Sequence, residues 1–120
     1  MNILKKIWLI FVMIAVGTAI DYVVHHSNPA FAVPPEYFPN KIIFGTFWGV
    51  ISLYFVRYFT KNWKLQAIFV PMIVAILLQV KYFLQGYDLY FVVLFLFLHY
   101  LMFMTTAPFI FKKYNLELNS

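Results

Sequence analysis

LYFVVLFLFLHYLMFMTTAPFIF, residues 89–111, is the stretch that decides the fold. Between Asp88 and Lys112 there is no Asp, Glu, Lys or Arg, and His99 is the one interruption of the apolar run. A transmembrane helix needs ~20 predominantly apolar residues, a length this stretch meets. Three more stretches repeat the pattern less cleanly. The second is free of charge from Ile42 to Val56 and needs Arg57 to snorkel toward an interface. The third runs from Leu65 to Val80 before Lys81, and the first from Ile7 to Ile20 before Asp21. The expected helices are 7–26, 41–60, 64–84 and 88–111.

Composition points to the same solvent. Hydrophobic residues make up 64% of the 120 positions and charged residues 11%, against about 25% charged in soluble domains. A soluble domain of this size could not hide so much apolar surface. No Pro/Gly/Ser linker, internal repeat or low-complexity tract divides the chain, so one integral membrane domain, 1–120, is expected. The absence of cysteine excludes disulfides, thiolate metal sites and thiol nucleophiles. The net charge of +5 is not gathered into a basic patch. The positive residues flank the apolar runs, so the expected partner is the lipid bilayer and not a nucleic acid.

Those charges also orient the chain. With the N-terminus in the cytoplasm, Lys5, Lys6, Arg57, Lys61, Lys64, Lys112 and Lys113 fall inside, and only Lys41 and Lys81 outside. The fold class is therefore read as all-α: a four-transmembrane-helix up-down bundle, multi-pass in the cell membrane, with both termini cytoplasmic.

The joints are legible too. Pro29, Pro34, Pro35 and Pro39 prevent a continuous helix between Ser27 and Asn40, where Phe31, Tyr37 and Phe38 favour an interfacial loop. Asn40 is the expected cap of the second helix, Gly86 the end of the third and Asp88 the cap of the fourth. Lys61, Asn62 and Trp63 make a short inner turn, and Pro71 and Pro108 can kink their helices. A competing reading makes the first run a signal peptide, with cleavage after Gly17-Thr18-Ala19 or at Ala30-Phe31-Ala32. Trp8, Tyr58, Trp63 and Tyr114 at one interface and Tyr22, Tyr37, Tyr82, Tyr87 and Tyr90 at the other form an aromatic belt.

Small residues mark the packing faces. Gly45, Gly49 and Ser52 share one side of the second helix; Ala67, Pro71 and Ala75 are spaced by four on the third, with Gln79 one turn beyond.

Asp21 is the residue that needs explaining. A carboxylate at membrane depth costs at least ~2.5–3.5 kcal/mol on insertion scales, so it is paired, turned from lipid or functional. Ile14, Thr18, Asp21 and His25 lie near one face of the first helix. They read either as a protonatable site or as a polar clasp. Asp21 sits ~7 Å below the outer end of its helix, at the level of Thr46, Gln79 and Lys81, which makes Lys81 or Gln79 its expected partner. His99 sits ~16 Å down the fourth helix, roughly 8–10 Å deeper than Asp21, and is read as a separate mid-membrane site. That offset argues against a metal shared by Asp21, His25 and His99. His25, His26 and Glu36 offer a weaker, shallow alternative.

There is no Gly-rich phosphate loop, Ser/His/Asp arrangement or H-E-x-x-H. In size and span count the chain resembles compact four-span families such as small multidrug transporters and fluoride channels. A small multidrug transporter would carry a Glu nearer the middle of its first helix, which this chain lacks. The expected function is a non-catalytic accessory subunit or scaffold of a membrane assembly, without cofactor, partnered by a membrane protein or a second copy. The alternatives are an oligomeric proton- or cation-coupled transporter or channel using Asp21, and a membrane-embedded metal or cofactor enzyme around His99.

Overall fold

The computed structural model describes residues 2–120, and no strand forms among them. Helix α1 spans Asn2–Ser27 and a 3₁₀ turn covers Pro29–Phe31; α2 spans Tyr37–Phe59 and α3 Trp63–Leu84. The last segment is broken into α4 (Leu89–Met104), α5 (Ala107–Lys113) and the short α6 (Asn115–Leu118). Four segments are long and apolar enough to cross a membrane: Ile3–Ser27, Tyr37–Phe59, Trp63–Leu84 and the α4–α5 stretch Leu89–Lys113.

Each helix packs on the next, and α1 closes the ring against α4. Ile10 of α1 faces Gly49 of α2, and Ile14 faces Gly45. That reversed order belongs to antiparallel neighbours. The bundle measures 43 × 22 × 19 Å. We call the end with the α1–α2 and α3–α4 connections distal, and the end with the α2–α3 turn proximal.

Side-chain size sets the helix spacing. A Cβ placed on Gly49 would come within 2.5 Å of Ile10 Cγ2, and one on Gly45 within 2.9 Å of Ile14 Cγ2. In lipid, where no hydrophobic force drives helices together, such close approach supplies the contact that holds them. Ser52 continues this face, and Ala67, Pro71 and Ala75 are buried on α3. The central core is Ile10, Met13, Ile14, Leu53, Val70, Val74, Phe103 and Phe111, all fully buried.

The joints differ from expectation in instructive ways. α2 starts at Tyr37, four residues before the expected position, with Pro39 inside its first turn. A proline is tolerated there because first-turn N–H groups have no helical acceptor anyway. Asn40 is therefore within the helix; Glu36 holds the cap position without a side-chain bond. Asp88 likewise holds the cap position of α4 without a side-chain bond. Gly86 does end α3: its φ of 93° lets Tyr87 N–H reach back to Tyr82 O at 3.3 Å.

Pro71 leaves α3 continuous, whereas the Pro108 region breaks the last helix. Pro108 has no N–H to continue the ladder. At the break Thr105 N–H and Thr106 N–H reach Met102 O and Phe103 O, both at 3.3 Å, with Thr105 Oγ1 also donating to Met102 O at 2.7 Å. At the proximal end, Lys6 Nζ and Arg57 Nη2 donate to the main-chain oxygen of Ser120 at 2.6 and 2.8 Å. Gln66 Nε2 donates to Asn119 Oδ1 at 2.7 Å.

Candidate functional site

Every helix of the ring contributes to one polar cluster in the distal half. α1 supplies Asp21 and His25, α2 Lys41, α3 Gln79 and α4 His99; none is more than 3% exposed. Asp21 Oδ2 accepts a hydrogen bond from Lys41 Nζ. The same ammonium donates to His99 Nε2 at 2.8 Å. His25 Nε2 and His99 Nε2 lie 3.2 and 3.5 Å from Asp21 Oδ1, though neither is aligned as a hydrogen bond to that oxygen.

Acceptors around the rings fix where protons belong. His99 Nδ1 faces Phe95 O at 2.7 Å. A carbonyl can only accept, so Nδ1 carries the proton and Nε2 offers its lone pair to Lys41. Gln79 Nε2 sits 3.2 Å from the same Nδ1, a donor facing a donor, while its Oε1 has no partner. Rotating that amide by half a turn corrects both, leaving Oε1 to accept from His99. His25 Nδ1 donates to Phe31 O, tying the charge cluster to the 3₁₀ turn. Its Nε2 then faces the carboxylate oxygen Oδ1 of Asp21 at 3.2 Å.

Aromatic rings seal the cluster from its surroundings. His25 stacks on Phe95 with ring centroids 4.4 Å apart. Lys41 Nζ lies 5.1 Å from the Tyr82 ring and 5.9 Å from Phe38. In such an environment the charges interact strongly but have lost hydration, so a carboxylate and an ammonium are stable there only together. Above them at the rim, partial burial and the neighbouring Tyr37 hydroxyl push the Tyr87 phenol up to about 12.

This geometry corrects the depth reading. His99 is in the Asp21 cluster, not in a separate site below it. Side chains lean toward the N-terminus of their own helix, so on antiparallel α1 and α4 they lean toward each other. Measuring along the helix axes ignores that convergence. The partner of Asp21 is also corrected, from Lys81 or Gln79 to Lys41. The early start of α2 carries Lys41 ~6 Å deeper than a helix beginning at that residue would. Lys81 instead places its Nζ 4.9 Å from the Phe44 ring. Thr46 lines an apolar groove with Ile7 and Phe11, and Gln79 reaches His99.

The shallow set His25, His26 and Glu36 separates, whereas Asp21, His25 and His99, expected at different depths, meet beside Lys41. His26 turns outward and bonds its own helix at Tyr22 O, while His25 turns inward. Both nitrogens of His99 already have protein partners, so a metal there would have to displace Lys41. Among the described residues, no three His, Asp or Glu side chains are arranged to hold an ion. Of Gly17-Thr18-Ala19, one nominated cleavage point, Gly17 and Thr18 are buried and Ala19 is exposed; a Cβ on Gly17 would strike the Phe103 ring.

Lys41 is the residue the sequence reading passed over. Two signals pointed to it: it defies the inside bias of the other charges, and it sits four residues before Gly45 on the small-residue face of α2. No protein-family model matches the sequence, and no curated protein or solved structure shows significant similarity to it.

Proposed function

We propose that the protein is a small multi-pass membrane bundle without catalysis, an accessory or scaffold subunit that works through its outer surfaces. The observation that carries this reading is the Asp21–Lys41 pair. The carboxylate that would attract a transported cation already holds an internal one, and the pair joins α1 to α2, with His99 of α4 and Gln79 of α3 linked to it, in place of lining a passage. Wide apolar faces support the membrane setting: Val23, Ile43, Phe59, Leu84 and Phe97 are each at least 65% exposed, far more than a water-soluble monomer tolerates. The proximal end, which carries Lys5, Arg57, Lys61, Lys64, Lys112 and Lys113, lies on the cytoplasmic side of the cell membrane in this reading. Purification of the intact chain in mild detergent tests it. A membrane-protein partner in constant ratio supports the subunit reading, and a monodisperse self-oligomer alone rejects it.

A second reading, proton or cation transport, draws on the unbonded atoms of the cluster. Asp21 Oδ1, His25 Nε2 and Thr18 Oγ1 are buried without hydrogen bonds. Proteoliposome flux separates the readings. Under transport, Asp21→Asn abolishes flux in a folded protein; under the scaffold reading the wild type shows none.

A further inference from the structure

We infer that the distal cleft between α2 and α3 is a binding site for a single anionic group of the phosphate class. The cleft is partly enclosed, about 40 Å³, and lined by Tyr37, Asn40, Lys41, Leu78, Lys81, Tyr82 and Gln85. Its lining includes two lysines, two amides and two tyrosines, and no carboxylate is among its walls.

Charge accounting explains why this chemistry needs a ligand. The cleft and the cluster beneath it contain two lysines, Lys41 and Lys81, against one carboxylate, Asp21. Asp21 is taken by Lys41, and Lys81 forms no ion pair among the described residues, its Nζ lying 4.9 Å from the Phe44 ring. An aromatic face attracts a cation without neutralising it. The cleft also opens at the first turn of α2, which includes Tyr37 and Asn40 and follows the exposed Glu36 at the cap position. That end of a helix favours negative charge. An anion seated against Lys81 would balance the excess of positive charge. The stacked rings of Tyr37 and Tyr82, 5.6 Å apart, form one side of its pocket.

Two sources supply this chemistry at a membrane rim: the phosphodiester of an anionic lipid, and free inorganic phosphate. The full chain, purified in an uncharged maltoside, is offered equal parts phosphatidylglycerol and phosphatidylcholine and read by native mass spectrometry. Thermal unfolding with inorganic phosphate is followed in parallel. The expected result is phosphatidylglycerol retention that falls about fivefold in Lys81→Gln. Lys81→Arg should retain it, and Lys113→Gln, at the other end of the bundle, should leave it unchanged. Stabilisation by phosphate that vanishes in Lys81→Gln, with no lipid preference, assigns the site to the free ion. The inference is overturned if neither probe distinguishes Lys81→Gln from wild type, or if Lys113→Gln matters equally. Lys81 is partly exposed, and circular dichroism confirms that each variant is folded.

Discussion

The distal and central parts of the bundle hold the same helices together by opposite means. Distally, Asp21, Lys41 and His99 join three helices through charge and hydrogen bonds inside an aromatic shell. Centrally, Ile10 and Ile14 fill the space left by Gly49 and Gly45, and no polar group takes part. The first arrangement is unforgiving of chemistry, because one partner without the other is a buried, unpaired charge. The second is unforgiving of volume. It tolerates any apolar group that fits.

The sharpest way to break this contrast is at Lys41. Lys41→Met should cost about 3–5 kcal/mol by stranding Asp21, measured by denaturant unfolding in mixed micelles. Adding Asp21→Leu should recover most of that loss. If Lys41→Met alone is as mild as Lys81→Gln, the pair does not clasp the helices. Next comes Gly49→Ala, with an expected loss of about 1–3 kcal/mol from overpacking. Combined with Ile10→Ala it should cost less than the sum of the two; simple additivity would deny the contact.

Two smaller effects refine the boundary between the regions. His25→Phe keeps an aromatic on Phe95 but removes the bond to Phe31 O, an expected loss of about 1 kcal/mol. It should show as faster proteolysis between residues 28 and 36; an unchanged cleavage rate would mean that the turn holds itself. Thr105→Val, at the α4–α5 break, should cost about 0.5–1 kcal/mol. Thr106→Val should cost less, since its hydroxyl is 3.4 Å from Phe103 O against 2.7 Å for Thr105 and Met102. Equal losses in unfolding would discount the hydroxyl bonds.

The four apolar segments were readable in the sequence because lipid-crossing length and a run without charges are local properties. So was the turn at Gly86, where one backbone angle decides. The cluster was only half readable. Asp21, His25, Gln79 and His99 stood out as polar residues in apolar runs, with only His99 set apart, but the company they keep depends on where α2 begins. Local rules assigned that start to Asn40 as a capping residue. The chain instead uses Pro39 within the first turn, and the displacement brings Lys41 to Asp21. Pairing across antiparallel helices also depends on side-chain lean, which spacing along one helix does not contain.

The Asp21–Lys41 pair has a consequence for biogenesis. In the proposed membrane placement, the first helix leaves the ribosome before its neutralising partner has been made. Alone it carries a carboxylate that works against its own insertion. The first two helices should therefore enter the bilayer as one hairpin, with the first waiting at the translocon for the second. Glycosylation mapping of the first helix alone, set against the hairpin, reads this directly, and full insertion of the first helix alone would refute it. Asp21 then acts as a timing element: a span that is poor by itself keeps the chain from committing before its partner arrives.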